Sequence, residues 1–256
     1  MNYKKFSLHR KVAIVTGGGS GIGRAIALGL AEAGADVVPV GRTAKRIENT
    51  AKEIEGLGQK TLIIPTDVTD KGQVENLVNK VNADLGSVDI LVNCAGLNIK
   101  KPVLDLDVED WEKVLEVNLK GLFIACQVAG KVMVEKRSGK IINIASMGSY
   151  FGITGSGPYC ASKGGVDQFT KVMAVEWAPF NVQANAIAPG FFRTELTKPV
   201  FEKDDVRERI FKRTPMNRAG EVEELVGAAI YLASEASDFV TGITLPVDGG
   251  FVAYGI

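Results

Sequence analysis

The sequence contains few of the residues that metal and disulfide chemistry require. It has one histidine, His9, and three cysteines in 256 residues. Structural and catalytic zinc sites draw on several such residues, so we expect no metal site. An odd number of cysteines at unrelated spacings predicts no disulfide framework. No Gly-x-Ser-x-Gly turn is present either, which argues against a hydrolase of the Ser-His-Asp type.

An excess of one charge and long apolar runs are also missing. Lys and Arg together number 30, as do Asp and Glu. This balance predicts no nucleic-acid partner, because such binding needs a basic surface. The apolar runs are strand-sized, which predicts no membrane partner. The polar N-terminus lacks the apolar stretch of a secretion signal, so we expect a cytoplasmic protein.

What is present is an alternation of short apolar runs and amphipathic stretches. It predicts a single α/β domain over 1–256, a doubly wound parallel sheet of the Rossmann type with about seven strands. The predicted strands are 12–16, 36–40, 61–65, 90–95, 141–146, 182–188 and 243–247; the predicted helices are 22–33, 44–57, 70–85, 108–135 with an interruption near Gly121, 159–178 and 222–233.

Two segments fit this alternation poorly. Pro39 falls inside the second predicted strand, where it removes a backbone donor, and we expect it to mark the end of that strand. Residues 191–219 are long, charged and weakly periodic between a strand and a helix. Loops of that length in a compact domain are usually functional. We expect this segment to act as a lid over a substrate.

The first strand is followed by a glycine-rich turn with the sequence TGGGSGIG at 16–23, and then by a helix. Glycines allow a tight turn and close approach to a pyrophosphate, which the helix N-terminus also favours. No Lys-Ser/Thr pair follows, so the turn is not a Walker loop. An ordinary strand–helix turn is the alternative. The candidate cofactor-binding residues in this turn are Gly17, Gly19, Ser20, Gly21, Ile22 and Gly23.

The second strand ends in Gly41, Arg42 and Thr43, with no acidic residue. An acid at this place suits the ribose 2′-hydroxyl of NAD, whereas an arginine suits the 2′-phosphate of NADP. The sequence therefore favours NADP(H), with Arg42 as the phosphate partner. NAD(H) stays possible, because Arg42 could equally be a solvated loop residue.

Tyr159 and Lys163 lie one turn apart on a predicted helix, and Ser146 ends the strand before it. The carboxyl ends of parallel strands form the ligand crevice, so these three side chains can converge there. A tyrosine hydroxyl can exchange a proton with a substrate oxygen if its pKa falls towards neutrality. A nearby ammonium group favours that fall. The set suits interconversion of an alcohol and a carbonyl.

With these motifs in place, the chain resembles the short-chain dehydrogenase/reductase family over almost its whole length. Besides those above, the matching pieces are Asp67 with Val68, the sequence NCAG at 93–96, Asn118, Pro189 with Gly190 and Thr194, and VDGG at 247–250. The resemblance implies a catalytic tetrad of Asn118, Ser146, Tyr159 and Lys163, in which Tyr159 is the acid/base. It also implies cofactor contacts at Asp67, Val68, Asn93, Ala95, Gly96, Tyr159, Lys163, Pro189, Gly190 and Thr194. Cys94 stands where Asn is usual, and Cys160 adjoins Tyr159; we expect both thiols to be inert packing groups.

The variable loops bear on the substrate. Residues 188–197, 212–218 and 95–102 are similar to gluconate 5-dehydrogenases within the family, which implies gluconate and 5-ketogluconate as substrates. Lys100 or Lys101 is a candidate contact for the sugar-acid carboxylate, although both could be solvated. A 3-oxoacyl-carrier-protein reductase and other polyol or deoxy-gluconate dehydrogenases stay open, as does a non-catalytic dinucleotide-binding regulator.

The family resemblance further implies a homotetramer. Its contacts would come from the helix containing Asn118, from the helix 159–178 and from the C-terminal strand. The second helix carries more apolar residues than a solvated helix needs, namely Val166, Phe169, Val172, Met173 and Val175. We also expect the apolar tail 251–256 to pack on a neighbouring subunit.

Overall fold

The computed structural model describes residues 4–195 and 197–254. In this part of the chain six parallel strands form one sheet in the order β2-β1-β3-β4-β5-β6. The strands are β1 Val12–Thr16, β2 Asp36–Val40, β3 Ile90–Asn93, β4 Gly139–Ile144, β5 Val182–Pro189 and β6 Thr244–Val247. The strand order reverses between β1 and β3, so a ligand crevice is expected at the carboxyl ends of these two strands.

Helices cover both faces of the sheet. They are α1 Gly21–Glu32, α2 Ala44–Gly56, α3 Lys71–Leu85, α4 Val108–Leu115, α5 Gly121–Lys136, α6 Gly157–Trp177, α7 Lys198–Phe201, α8 Asp204–Arg213 and α9 Val226–Ala233. One apolar core lies between the sheet and α3, α5 and α6, and a second lies between the sheet and α1, α2 and α9. Strands β1 to β5 are buried along almost all of their length. This explains their near-continuous apolar sequence.

The expected strand at 61–65 does not form. Within the described residues, the segment 60–66 makes only two backbone hydrogen bonds to β2 and the residue after it, Val37 N–H to Lys60 O (3.0 Å) and Thr66 N–H to Gly41 O (3.1 Å). In a parallel ladder the next donor after Val37 on this side is residue 39, and proline has no N–H. Pro39 thus interrupts the ladder, and β2 stays the edge strand. Pro39 lies within β2 and does not mark the end of the strand as expected, because an edge strand tolerates proline.

The long helical stretch is interrupted as expected near Gly121. A π-helical turn, Glu116–Lys120, joins α4 to α5. By length and composition the stretch Val108–Lys136 is apolar enough to cross a membrane, contrary to the expectation of strand-sized apolar runs. However, 56% of its most apolar window is buried inside the protein. Packing of α5 on the sheet accounts for this apolar character.

Helix α6 divides its apolar residues between the core and the surface. Val166 and Met173 are buried in the chain's own core, and only Val172 and Val175 are exposed, at 48% and 77%. The expected apolar surface on this helix is therefore smaller than the sequence suggested. Near the C-terminus, Phe251 is also buried within the chain. Residues 255 and 256 of the expected tail lie outside the described residues.

The segment 191–219 contains more regular structure than its sequence indicates. It includes α7 and α8, although Leu196 lies outside the described residues. Helix α8 buries one residue, Ile210, and its remaining surface is mostly charged. A helix with one buried position gives almost no periodic signal, which explains why the pattern did not predict it.

Candidate active site

The glycine-rich turn between β1 and α1 has a shape that only glycine permits. Gly17 adopts a φ of +70°, and a Cβ there would lie 2.9 Å from the backbone nitrogen of Ala95. A Cβ on Gly23 would collide with the carbonyl oxygen of Gly17. The space next to the N-terminus of α1 is therefore kept free of side chains. Such a cradle fits a dinucleotide pyrophosphate, which needs close backbone approach.

A cleft of about 200 Å³ opens beside this turn. It brings together the start of α1, the end of β3, one face of α6 and the beginning of the segment after β5. The residues lining it are Gly17, Ser20, Gly21, Ile22, Gly23, Cys94, Ala95, Gly96, Ile144, Tyr159, Lys163, Thr194 and Glu195. Ten of the residues expected from the sequence share this cleft, while Cys94, Ile144 and Glu195 were not expected there.

Lys163 is fixed at the back of the cleft. Its Nζ donates to the carbonyl oxygen of Ile144 at 2.6 Å, and the residue is only 5% exposed. Burial lowers the pKa of its ammonium group to about 8. The ammonium lies 5.7 Å from the ring centroid of Tyr159. A cation held in a poorly solvated place is well suited to bind hydroxyls and to act on a neighbouring tyrosine.

Tyr159 and Ser146 are hydrogen-bonded to each other, and the Tyr159 ring lies next to Lys163. Burial raises the pKa of the Tyr159 hydroxyl, while a hydrogen bond with Ser146 opposes that rise. The Oγ of Ser146 accepts a hydrogen bond from Gly148 N–H at 3.0 Å, which fixes the serine at the end of β4. The protein alone therefore keeps Tyr159 protonated at neutral pH. Positive charge placed near the hydroxyl would lower this pKa and favour the phenolate.

Asn118 lies in the π-helical turn and is 1% exposed. Its Oδ1 accepts from Leu97 N–H at 2.8 Å, and its Nδ2 donates to Leu97 O at 2.9 Å and to Ser162 Oγ at 3.2 Å. These bonds join the segment after β3 to α6 next to Lys163. π-helical turns occur often at functional sites. Leu97 and Ile144 could not be predicted as partners, because both act through backbone atoms that every residue carries.

Arg42 and Asp67 meet at the carboxyl end of β2. Arg42 Nη1 lies 3.9 Å from Asp67 Oδ2, and the arginine side chain is 71% exposed. Such a long, solvated ion pair is weak, so the guanidinium is available to another anion. Val68 is buried and packs against Gly121. A Cβ on Gly121 would come within 2.8 Å of Val68 Cγ2.

Four other candidates lie around this centre with different surroundings. The side chain of Asn93 points into the core, where Nδ2 donates to Asn143 Oδ1 at 2.9 Å. Pro189 ends β5, and the N–H of Gly190 donates to Val247 O at 3.0 Å. A Cβ on Gly19 would lie 3.0 Å from Arg46 Cβ. The amide of Asn93 therefore does not line the cleft.

The two lysines after β3, Lys100 and Lys101, have different surroundings. Lys101 Nζ is bound by Asp107 at 2.7 Å and by Asp110 at 2.5 Å, and these carboxylates raise its pKa. Lys101 is thus a structural cation, contrary to the expectation that it could hold a substrate carboxylate. Lys100 is exposed and has no ion-pair partner within the described residues. Burial raises the pKa of the Cys94 thiol to about 11, which agrees with an inert thiol.

Comparison with known proteins places the chain in a family. Residues 17–252 match the family described as Enoyl-(Acyl carrier protein) reductase. A 5-keto-D-gluconate 5-reductase of Escherichia coli strain K12 is 40% identical over 247 residues, covering 96% of this chain and 97% of the relative. The chain belongs to the short-chain dehydrogenase/reductase family.

Other members of the short-chain dehydrogenase/reductase family differ in the activities they are named for. The crystal structure of a gluconate 5-dehydrogenase from Burkholderia cenocepacia, in complex with NADP and tartrate, has a TM-score of 0.95 and 40% identity, covering 98% of both chains. A 3-oxoacyl-acyl-carrier-protein reductase of Thermotoga maritima is 39% identical over 245 residues, covering 96% of this chain and 99% of the relative. The activities that these relatives are named for therefore span two chemical classes of substrate.

Proposed function

We propose that this short-chain dehydrogenase/reductase is an NADP(H)-dependent oxidoreductase that interconverts a secondary alcohol and a ketone on a sugar acid, with D-gluconate and 5-ketogluconate as substrates. The observation that carries the reaction type is the shared cleft, which places Tyr159 and Lys163 opposite the glycine-rich turn. The sugar acid is supported by relatives named for gluconate and 5-ketogluconate, at 40% identity over almost the whole chain.

NADP, when bound, takes up or returns a hydride at the substrate carbon. The chain's own residues handle the proton. In reduction Tyr159 gives its hydroxyl proton to the ketone oxygen. In oxidation Tyr159 first loses its hydroxyl proton to the relay towards solvent, and its phenolate oxygen then takes the alcohol proton. Ser146, held by Gly148 N–H, donates a hydrogen bond to the same substrate oxygen. This bond strengthens as negative charge develops on the oxygen, so it favours the transition state.

Lys163 and Asn118 complete the proposed tetrad. The Lys163 ammonium supplies positive charge near Tyr159 and binds the nicotinamide ribose. The ammonium has three N–H donors, so it can keep its bond to Ile144 O and still donate to the ribose hydroxyls. Asn118, bound at both ends of its amide, keeps the Leu97 segment in place and holds a water that relays the proton. The proton then reaches solvent without a change in the fold.

Cofactor selection is assigned to the end of β2. Arg42 would hold the 2′-phosphate of NADP, and Asp67 and Val68 would hold the adenine. Gly17, Gly19, Ser20, Gly21, Ile22 and Gly23 would hold the pyrophosphate, and Ala95, Gly96 and the backbone of Asn93, whose amide points into the core, would hold the adenosine. Pro189, Gly190 and Thr194 would hold the nicotinamide. The weak 3.9 Å pair between Arg42 and Asp67 supports this arrangement, because a phosphate can replace the carboxylate as the arginine's partner.

We also propose a single domain over 1–256, a lid at 191–219, a homotetramer and a cytoplasmic location. A groove of about 730 Å³ on α4, the π-helical turn, α5 and α6 supports the assembly. It is walled by Trp111, Leu119, Phe123 and Phe169, and Trp111 and Phe123 are about 40% exposed. A second subunit would cover these rings. Light scattering after size exclusion tests this, and a monomer at micromolar concentration contradicts it.

The experiment for the reaction is a steady-state assay of nicotinamide absorbance. D-gluconate is supplied with NADP and with NAD, and 5-ketogluconate is supplied with the reduced cofactors. We expect turnover in both directions with NADP(H) preferred. Acetoacetyl thioesters test the second candidate, a 3-oxoacyl-carrier-protein reductase, which the 39% identical Thermotoga relative supports. Turnover of the thioester alone would replace the sugar acid as substrate but would leave the role of Tyr159 unchanged.

A further inference from the structure

Arg213 is the last residue of α8, and it differs from the other arginines of the lid and its border. Those arginines are each paired with a carboxylate: Arg193 with Glu221 (3.0 Å), Arg207 with Asp204 (2.8 Å), Arg209 with Asp205 (3.5 Å) and Arg218 with Glu224 (2.6 Å). Arg213 is exposed and has no carboxylate within 4.0 Å among the described residues. Its charge is therefore free for an external anion.

Aromatic rings hold the Arg213 guanidinium in place. Its Cζ lies 5.0 Å from the ring centroid of Phe251 and 5.6 Å from that of Phe151. These two rings stack on each other at 5.4 Å, and Phe191 meets Phe251 edge-on at 5.7 Å. Cation–π contacts restrict the movement of the guanidinium without neutralising its charge, so it can still bind an anion.

The rings come from three segments at the ligand side of the sheet. Phe151 follows the turn that begins at Ser146, Phe191 directly follows Gly190, and Phe251 follows β6. Ser149 in the first segment donates from its Oγ to the carbonyl oxygen of Lys163 at 2.8 Å. This bond ties the segment that carries Phe151 to α6, the helix of Tyr159 and Lys163. Arg213 reaches the aromatic cluster from the lid above.

We propose that Arg213 is the specificity-determining residue that binds the carboxylate of the substrate. This rests on the proposed sugar-acid activity. A guanidinium presents a planar pair of donors that matches a carboxylate. Of the two lysines considered for this role, Lys101 is held by Asp107 and Asp110. Lys100 offers a single ammonium group on an exposed loop with no described ion pair to fix it. Arg213 is both unpaired and oriented.

The test compares an anionic substrate with a neutral copy of it. D-gluconamide keeps the hydroxyl pattern of D-gluconate and replaces the carboxylate by an uncharged amide. We expect Arg213→Met to lower kcat/KM for D-gluconate by about 30-fold, mainly through KM, because a charge-assisted bidentate contact is lost. For D-gluconamide the same variant should change kcat/KM by less than about threefold. Arg213→Lys should give an intermediate loss, because charge remains without the planar fork.

Two neighbouring substitutions serve as matched controls. Arg209→Met removes an arginine one turn earlier on α8, and Lys212→Met removes the adjacent exposed cation; both should leave the ratio of the two substrates unchanged. Equal losses for both substrates in Arg213→Met would show that Arg213 only packs the lid, and an unchanged gluconate rate would exclude any contact. Either result overturns the proposal while the sugar-acid activity stands. A wild-type enzyme that turns over neither substrate contradicts the proposed function, and this assignment with it.

Discussion

The proposed catalytic wall and the proposed lid of this molecule hold their polar groups in opposite ways. The catalytic wall is defined here by Asn118, Ser146, Tyr159 and Lys163, and the lid by residues 191–219. Asn118, Ser146 and Lys163 are at most 6% exposed, and each is bound to a backbone atom. The lid's charged groups are exposed and, Arg213 excepted, its arginines pair with carboxylates in water.

This difference determines how much free energy is needed to rearrange the polar contacts of each region. A buried polar group whose partner is a backbone atom is costly to displace, because the partner would be left unsatisfied. An exposed ion pair contributes about 0–1 kcal/mol and can rearrange. The wall is therefore suited to one fixed reaction. The lid is suited to selecting substrates, since its contacts can change without loss of the fold.

Tyr159→Phe, a substitution in the proposed catalytic wall, is expected to have the largest effect. We expect turnover to fall by about a thousandfold, because the proton donor is removed. The dissociation constant for NADPH, measured by fluorescence, should stay within about threefold of the wild-type value. Tyr150→Phe is the control, since the Tyr150 hydroxyl donates to the backbone carbonyl oxygen of Thr244 (3.2 Å) and not to a tetrad residue. A Tyr159→Phe enzyme retaining more than a tenth of wild-type turnover would exclude Tyr159 as the acid/base.

Asn118→Ala tests whether the wall acts through fixed backbone contacts. The N–H and C=O of Leu97 lose their partner, so we expect about a hundredfold lower kcat and a loss of about 1–3 kcal/mol in the free energy of unfolding. Asn143→Ala removes another buried asparagine, bonded to Thr170 and Asn93. It should cost similar stability in urea but little kcat. Equal kcat losses in both variants would make Asn118 purely structural.

Arg42→Ala examines the exposed charge that is assigned to the cofactor. The Michaelis constant for NADP should rise about tenfold or more, because one charge-assisted contact to phosphate is lost, while that for NAD changes by less than about threefold. Lys45→Ala, an exposed neighbour at the start of α2, should affect neither. Parallel increases for both cofactors would contradict the 2′-phosphate assignment.

Lys163→Met is expected to have the smallest effect, and it should raise the stability of the protein instead of impairing a function. Burial lowers the Lys163 pKa to about 8, so the unfolded chain binds more protons between pH 8 and about 10.5. Wild-type stability should therefore rise with pH in that window. At pH 7 the variant avoids burying a charge and, after the lost bond to Ile144 O, should gain about 1–2 kcal/mol, raising Tm by a few degrees.

Lys171→Met is the matched control, because Lys171 is exposed and paired with Asp167. It should leave Tm nearly unchanged. A Lys163→Met variant that is less stable than the wild type at pH 7 would show that the buried ammonium is compensated in the cofactor-free protein.

The wall could be predicted from the sequence further than the lid could. Local patterns placed β1 and β2 at their observed bounds. Ser146, Tyr159 and Lys163 came from motifs on predicted strands and helices, whereas Asn118 came from the family resemblance alone. The partners of those candidates were beyond reach, since Leu97 and Ile144 bind through backbone atoms that carry no sequence signal. The pairing of Lys101 depends on how α4 begins, which only the folded chain decides. Helix α8, with one buried residue, left no periodicity to detect.

Hydrogen exchange tests the central claim, a fixed catalytic wall beneath a selective lid, most directly. Amides of β4, β5 and α6 should exchange only through global unfolding, whereas those of α8 should exchange at least about a hundredfold faster through local opening. Adding NADP with D-gluconate should slow exchange in α8, and NADP with D-gluconamide should slow it much less. A fixed wall beneath a selective lid is contradicted if the amides of α8 are as protected as those of β5 without ligand, or if the two sugars protect α8 equally.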